Sequence, residues 1–485
     1  MNLIDMDATA LVAAMDRGEV TAEEAMTACL DRIAEVNGEV NAVVALRDRD
    51  ELLEEARAAD RSERKGWLHG VPLAVKDLAN TRGITTTLGS PILKDFVPRR
   101  DDLFVGRMRG AGAIFIGKTN APEFGLGSHT VNPVYGATRN PYDLARSAGG
   151  SSGGATAALA AGMQWVCDGS DMMGSLRNPA GWCNVYGFRP SFGLVPGDVE
   201  RDLYLHPLAT SGPMGKSPAD MAALLDIQSG ADPRVPLSHD GPGFAGKLAS
   251  DLTGKRVAWL GDWGGAWPME EGVRDTCEAA LATFADLGVE VEEIAPPFPA
   301  ADLWQAWIDL RSFAVAGSTG PLYDNPVHRP QLREDAVWEL ERGRALTAVE
   351  IQRASATRSA WFRKAAALFD RYDALIAPTA QVWPFPVEQM HPKEIEGHAM
   401  DTYHRWMECV IPASLIGLPA AAVPAGFGAQ GLPMGLQIIG RYRDDLGILR
   451  LAQGWHEATQ WPARRPAMRD GAMRDGRGDN RIAPQ

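Results

Sequence analysis

The sequence predicts an α/β protein with a central mixed β-sheet flanked by helices, and three observations support this fold class. Capping boxes and amphipathic stretches mark helices at two separate places in the chain. From Val71 onward, short apolar runs alternate with turns rich in Gly, Thr, Asn and Pro, a texture typical of sheets covered by helices. The chain has 485 residues, of which 45% are hydrophobic, so it is long enough to bury a large core.

The N-terminal part is predicted to be helical. Asp7 is a candidate N-cap for an Ala-rich turn, and Thr21 with Glu24 forms a capping box that opens a long amphipathic helix. A third helical stretch covers Glu51–Ala59. We therefore expect residues 1–65 to form a helical segment that packs on the core.

Strands are predicted where short apolar runs lie between turn signals. These runs are Val71–Val75, Ala113–Ile116, Arg256–Leu260, Val289–Ile294, Asp373–Ala377 and Ala420–Val423. Further helices are predicted from Ser217-Pro218, over Val273–Leu287, and from about Ala301 to Asp370, where Thr347 and Glu350 form a second capping box.

No domain-scale repeat or long linker divides the chain. We therefore expect one α/β domain over 66–465 with a helical accessory region at about 230–370. The segment 466–485 is polar, rich in Arg, Asp and Gly, and repeats AMRDG, so it is predicted to be a flexible tail.

Composition excludes several classes of protein. The difference between 48 basic and 62 acidic residues is −14, which argues against unaided binding to nucleic acid or to an anionic membrane. The first twenty residues lack the pattern of a secretory signal, and the longest apolar stretch, Val410–Gly428, contains three prolines that disfavour a membrane helix. Five scattered cysteines without a CxxC pair exclude a disulfide scaffold and suit a reducing cytoplasm. The nine histidines form no recognised metal-ligand set.

The segment Gly149–Gly154 (GGSSGG) is the most unusual local sequence. It precedes an Ala-rich helix at Ala155–Ala161, so on its own it could hold a phosphate at a helix N-terminus. No Lys follows as in a P-loop, which leaves a tight Gly-rich turn with serine caps as the simpler interpretation.

Together with two other segments, this one resembles the amidase signature family of serine hydrolases. The three segments, in the family's order, are Gly70–Asp77 (GVPLAVKD), Gly149–Gly154 (GGSSGG) and Gly169–Pro179 (GSDMMGSLRNP). The resemblance continues at 117–120, 136–141, 187–190 and 431–437 and so covers most of the chain. Three motifs in order are far more specific than one, and the sequence is identified as a member of that family.

The resemblance implies a Ser–cis-Ser–Lys triad. Ser175 matches the nucleophile, Ser151 the bridging cis-serine and Lys76 the base. The physical logic agrees, because a serine hydroxyl needs a base within reach and no histidine lies in these motifs. A lysine can be that base only when burial lowers its pKa, and Lys76 ends the apolar run Val71–Val75. Singly, a Lys beside an Asp is usually a solvated pair and a Ser in a Gly loop is usually a cap.

The oxyanion formed during attack on an amide also needs donors. The resemblance suggests the backbone N–H groups of Met172, Met173, Gly174 and Ser175. It further implies loop-supporting roles for Gly150, Ser152 and Asp171. Met173 stands where many relatives have Gly, so this side chain is expected either to fill part of the acyl pocket or to pack behind the loop.

The resemblance implies an amidohydrolase that needs no cofactor or metal. Its expected partner is a small-molecule amide, anilide or carbamate, without nucleic acid or membrane; a homodimer stays open. Trp304, Trp307 and Trp383 either line an apolar substrate site or belong to the core. The alternatives are the catalytic subunit of an amidotransferase, which uses glutamine within a tRNA-dependent complex, or a non-catalytic binding protein on the same scaffold.

Overall fold

The structure is a computed structural model that describes residues 3–197 and 202–468. The predicted tail over 466–485 therefore lies outside the described residues apart from 466–468.

Helices account for much of both halves of the chain. They are α1 (Ala8–Asp16), α2 (Ala22–Val40), α3 (Arg49–Asp60), α4 (Leu103–Gly110), α5 (Gly153–Ala160), α6 (Asn178–Trp182), α7 (Pro218–Gln228), α8 (Val273–Ala280), α9 (Ala282–Asp286), α10 (Ala300–Asp324), α11 (Glu334–Ala345), α12 (Ala348–Leu368), α13 (Ile411–Leu415) and α14 (Asp445–Thr459). Both predicted capping boxes are confirmed, at the starts of α2 and α12.

The strands are short and mostly buried. They are β1 (Val43–Val44), β2 (Pro72–Lys76), β3 (Ile114–Thr119), β4 (Val131–Asn132), β5 (Gly136–Ala137), β6 (Arg139–Asn140), β7 (Asp143–Ser147), β8 (Val166–Asp171), β9 (Tyr186–Arg189), β10 (Thr210–Gly215), β11 (Arg256–Trp259), β12 (Glu290–Glu293), β13 (Ala374–Pro378), β14 (Glu394–Ile395), β15 (His398–Ala399), β16 (Ala420–Phe427) and β17 (Pro433–Ile439).

The central mixed sheet is confirmed. Eight strands pair in the order β12-β11-β13-β17-β16-β9-β10-β8, with parallel pairing of β11 to β12 and β13 and antiparallel pairing elsewhere. A separate three-stranded sheet has the order β1-β3-β2, in which β2 and β3 are parallel. The segment 1–65, which is predicted to be helical, also supplies the edge strand β1.

Strand β2 reaches the large sheet through side chains of the β8 region. The backbone N–H of Ala74 donates to Gln164 Oε1 at 2.9 Å, and that of Lys76 donates to the carboxylate of Asp168. These contacts fix the C-terminal end of β2 beside β8. The two chain segments that carry the candidate base and the candidate nucleophile therefore lie next to each other.

Two local expectations differ from the structure. The helix predicted over Val273–Leu287 is two helices, α8 and α9, which meet at Leu281. Asp7 does precede α1, but its side chain makes no capping hydrogen bond. The five cysteines are all free and buried. Among the described helices, none combines the length and apolar character that a membrane crossing requires.

Candidate active site

Lys76 ends β2 inside a cluster of serine hydroxyls. Its side chain is 1% exposed, and Nζ lies 2.9 Å from Oγ of Ser151 and 2.7 Å from Oγ of Ser152. Ser170 on β8 adds its Oγ at 3.1 Å and its carbonyl oxygen at 3.2 Å. The amine is thus held by short polar contacts on several sides, and no carboxylate within 3–197 and 202–468 is bonded directly to it.

The chemistry of Lys76 depends on its burial. Burial lowers the pKa of this amine from 10.5 to about 7, although the nearby carboxylates of Asp168 and Asp171 act in the opposite direction. Near neutral pH the amine is therefore present in both its charged and its neutral form. A neutral lysine amine can accept a proton from a hydroxyl.

Two further buried charged residues, Asp168 and Lys118, lie near this base. Asp168 accepts the backbone N–H of Lys76 at 3.1 Å (Oδ1) and 3.3 Å (Oδ2), and burial raises its pKa to about 6 against the opposing charge of Lys118. Lys118 on β3 is also buried, which lowers its pKa to about 8, and its Nζ donates to Ala79 O and Thr81 Oγ1. Asp168 thus connects the base both to β8 and to a neighbouring cation.

The Gly-rich segment brings Ser151 and Ser152 to the lysine. The peptide bond between Gly150 and Ser151 is cis, and the Gly150 carbonyl accepts the hydroxyl of Ser128 at 2.6 Å. Close packing explains the glycines, since a Cβ at Gly154 would lie 2.3 Å from the backbone nitrogen of Asn120. These contacts favour the turn over a phosphate cradle. The expected serine cap is absent, because Ser152 makes no capping bond and its hydroxyl contacts Lys76 instead.

Ser175 lies in the loop that follows β8. Its side chain is 7% exposed, and its hydroxyl makes no hydrogen bond to any residue in the described ranges. The structure thus joins Lys76 to Ser151 directly, but it does not join Ser151 to Ser175. A relay through all three requires the Ser175 hydroxyl to approach Ser151 during the reaction. Catalytic hydrogen bonds commonly tighten only in the complex with substrate.

Asp171 shapes the loop between β8 and Ser175. Its buried carboxylate accepts the backbone N–H groups of Gly174 at 2.9 Å and Leu176 at 3.1 Å, and it pairs with Arg177 and Arg189 at 3.0 Å. Burial alone would raise the pKa of this carboxyl, but the two guanidinium groups outweigh burial and hold the pKa below its usual range. Asp171 therefore stays ionised and fixes the turn that presents Ser175.

The hydrogen bond between Gly174 and Asp171 corrects the expectation that Gly174 is an oxyanion donor. The N–H of Gly174 is already donated to Asp171, so it is not available to an oxyanion. Gly174 instead supplies the left-handed backbone conformation of the loop, with φ of +81°. In the part of the chain that the structure describes, the backbone N–H groups of Met172, Met173 and Ser175 make no hydrogen bond.

The two methionines of this loop point to different surroundings. Met173 is 3% exposed and belongs to the main hydrophobic core, so it packs behind the loop and does not adopt a positive φ. Met172 is half-buried, and its Sδ lies 3.3 Å from a guanidinium nitrogen of Arg311. Met172, unlike Met173, thus connects the loop to the accessory helix α10, which carries Arg311.

Arg311 belongs to a buried network that the sequence did not reveal. Its guanidinium contacts Glu339 at 2.6 Å and the Tyr403 hydroxyl at 2.6 Å, and Ser312 donates to the same Glu339 carboxylate at 2.7 Å. These residues come from α10, α11 and the segment before α13, and no local motif links them. Ser170 and Asp168 were also missed, although both lie within or beside the recognised GSD motif.

The three tryptophans singled out from the sequence are all buried, and Trp307 is fully so. Trp304 packs beside His404 and under the guanidinium of Arg405, and Trp383 donates its ring N–H to the carbonyl of Glu271. Burial favours the packing interpretation of these residues. Within 3–197 and 202–468, no group of three or more His, Cys, Asp or Glu side chains is arranged to hold a metal ion.

Comparison with known proteins places this site in a wider context. The family model described as Amidase matches residues 24–449. An acylamidase from Rhodococcus erythropolis is 35% identical over 476 residues, covering 96% of this chain and 98% of that protein. A glutamyl-tRNA(Gln) amidotransferase subunit from Chloroflexus aurantiacus is 33% identical, covering 95% and 98%. The crystal structure of a bacterial aryl acylamidase superimposes with a TM-score of 0.88 at 30% identity, covering 95% and 99%.

Proposed function

The chain belongs to the amidase signature family and is an amide C–N hydrolase; from this premise we propose that it cleaves small, apolar or aromatic carboxamides or anilides, or related carbamates, through an acyl-enzyme on Ser175. One observation carries the mechanism. The amine of Lys76 lies 2.9 Å from the hydroxyl of Ser151 in a site whose burial lowers the pKa of the amine to about 7.

In the proposed reaction, neutral Lys76 takes the proton of Ser151 while Ser151 takes the proton of Ser175. The Ser175 oxygen attacks the carbonyl carbon and forms a tetrahedral intermediate. When the C–N bond breaks, Ser151 returns a proton to the leaving nitrogen and Lys76 reprotonates Ser151. A water molecule, activated by the same relay, then hydrolyses the ester on Ser175 and releases the acid.

The oxyanion of each tetrahedral intermediate would be bound by backbone N–H groups of the loop before Ser175. Met172, Met173 and Ser175 are the proposed donors, since the N–H of Gly174 is committed to Asp171. Gly150, Ser152 and Asp171 are proposed as supporting residues. Ser152 anchors the amine of Lys76 at 2.7 Å, and Asp171 holds the loop conformation.

The substrate class is supported by the relatives. An acylamidase and an aryl acylamidase are by name enzymes of acyl amides, and both align with this chain over nearly its whole length. A cytoplasmic location is part of the proposal, because the five cysteines are free and buried.

The proposal is tested with a panel of acyl anilides and alkyl amides. Ser175→Ala and Lys76→Met should each abolish turnover, whereas Lys216→Met, which removes another buried lysine, should retain it. Ser175 should also be labelled by a fluorophosphonate, as confirmed by peptide mass spectrometry. Unchanged turnover in folded Ser175→Ala protein would refute the assignment, and absence of labelling would favour a non-catalytic binding protein.

The second candidate is the catalytic subunit of an amidotransferase that uses glutamine. Amidotransferase subunits are among the curated relatives at 33% identity, so the scaffold is shared. The net charge of −14 offers little attraction for tRNA, and Met172-Met173 departs from the threonine-glycine expected in such subunits. Glutamine hydrolysis that appears only with added partner subunits, together with no anilide turnover, would favour this candidate.

A further inference from the structure

A concave site that is not bordered by the candidate triad opens elsewhere on the protein. It is a cavity of about 540 Å³, a volume typical of small-molecule sites, and we call it the arginine cavity. Its lining includes Leu237, Arg358, Phe362, Arg363, Tyr442 and Arg443. The lining is apolar and aromatic apart from two serines and three arginines, and among the residues that the structure describes it includes no Asp or Glu.

Arg358 on α12 is the exceptional residue of this cavity. It is half-buried, and within the described parts of the chain its guanidinium makes no hydrogen bond and no ion pair. Burial alone lowers its pKa, with no carboxylate acting in the opposite direction. A guanidinium that loses water without gaining a partner is unfavourable, and a bound anion would restore the missing interactions.

Three other arginines of this chain that are partly or fully buried do have partners. Arg107 donates to the carbonyls of residues 228–231, Arg342 pairs with Asp309, and Arg311 pairs with Glu339. The chain carries 14 more acidic than basic residues, so acidic partners are plentiful overall. The missing partner of Arg358 is therefore not explained by a shortage of carboxylates, and the exposed guanidinium groups of Arg363 and Arg443 add further positive charge at the same cavity.

The aromatic and apolar lining residues indicate which kind of ligand the cavity suits. Phe362 and Tyr442 meet edge to face with ring centroids 6.2 Å apart, and Phe362 and Leu237 are each 39% exposed. The guanidinium of Arg443 lies 5.3 Å from the centroid of the Tyr442 ring. Aromatic rings bury well against such surfaces, and guanidinium groups bind planar carboxylates through two parallel hydrogen bonds.

We propose that the arginine cavity binds a small aromatic carboxylate, with its head on Arg358, its body against Phe362 and Tyr442, and Arg363 and Arg443 adding positive charge. Lys76, Ser151 and Ser175 do not border the cavity, so this inference does not depend on the proposed reaction. The volume of the cavity suits a ligand with one or two aromatic rings.

The experiment uses 2-naphthoate and its neutral counterpart 2-naphthylmethanol in calorimetric titrations of the full chain. Naphthoate should bind saturably and about tenfold or more tighter than the alcohol, because hydrogen bonds to charged groups are the stronger ones. Arg358→Met keeps the apolar stem and should remove this preference. Arg353→Met, an exposed arginine on the same helix outside the cavity, should change neither affinity.

Crystals soaked with 6-bromo-2-naphthoate locate the site. An anomalous bromine peak beside Phe362 supports the proposal, whereas a peak only near Ser175 overturns it. Equal naphthoate affinity of Arg358→Met and unaltered protein, or no saturable binding to the unaltered chain, also overturns it. Thermal unfolding of both arginine variants shows whether any lost binding reflects lost folding.

Discussion

The reaction rate should depend on the protonation of Lys76, and pH is the simplest perturbation of that state. Burial lowers the pKa of this amine to about 7. Only the neutral amine can accept a proton, so the acylation rate of Ser175 should fall as pH falls through that value. The sign is fixed by the residue type, because a lysine gains activity as a base only when it loses its proton.

The magnitude follows from the pKa. With a pKa of about 7, the neutral fraction is about 50% at pH 7, about 9% at pH 6 and about 1% at pH 5. A lysine with the usual pKa of 10.5 would be neutral in only about 0.03% of molecules at pH 7. Burial therefore increases the population of the reactive form by about a thousandfold at neutral pH.

The assay is the second-order rate of Ser175 labelling by phenylmethylsulfonyl fluoride between pH 5 and pH 9. The rate should rise about tenfold per pH unit below pH 6 and reach a plateau above pH 8. Ser175→Ala provides the background. A rate that is flat from pH 5 to pH 8, or one that is still rising steeply at pH 9, would refute the role of Lys76 as a buried base.

Three other perturbations separate the buried charges. Asp168→Asn removes a carboxylate that favours the charged form of Lys76. The pH at which the labelling rate of Ser175 is half its plateau value should therefore decrease. An unchanged half-maximal pH in the same assay contradicts this. Asp171→Asn leaves Arg177 and Arg189 facing a neutral amide and should lower the free energy of unfolding in urea by about 3–5 kcal/mol. A decrease of less than about 1 kcal/mol would argue against a stabilising role of these ion pairs. Lys76→Met should be more stable than the unaltered chain near pH 6, and this gain should shrink from about pH 7 to about pH 10, because in that window the unfolded lysine binds more protons than the folded one. A gain that is independent of pH would contradict the lowered pKa.

Local signals in the sequence predicted what depends on nearby residues. The capping boxes at Thr21 and Thr347 fixed two helix starts, because both partners lie within one turn. The apolar run before Lys76 predicted its burial, because a strand buried on both faces keeps its last side chain inside. The order of the three motifs predicted the family.

Contacts between distant elements were not predictable in the same way. Asp168 meets the backbone of Lys76 across 92 residues, and Arg311 meets Glu339 from a neighbouring helix, without a motif that pairs them. The donor role expected of Gly174 failed because the carboxylate of Asp171 takes its N–H, and only the loop geometry shows that competition. The domain boundaries and the catalytic roles stay predictions.

The Lys76 amine should lose its proton near neutral pH, and a direct titration of this amine is the most direct test of its role as the base. Chains carrying ¹⁵N-labelled lysine are titrated by NMR, and the Lys76→Met variant identifies the resonance. We expect a midpoint near pH 7 for this amine. An amine that stays charged up to pH 9 would contradict the claim.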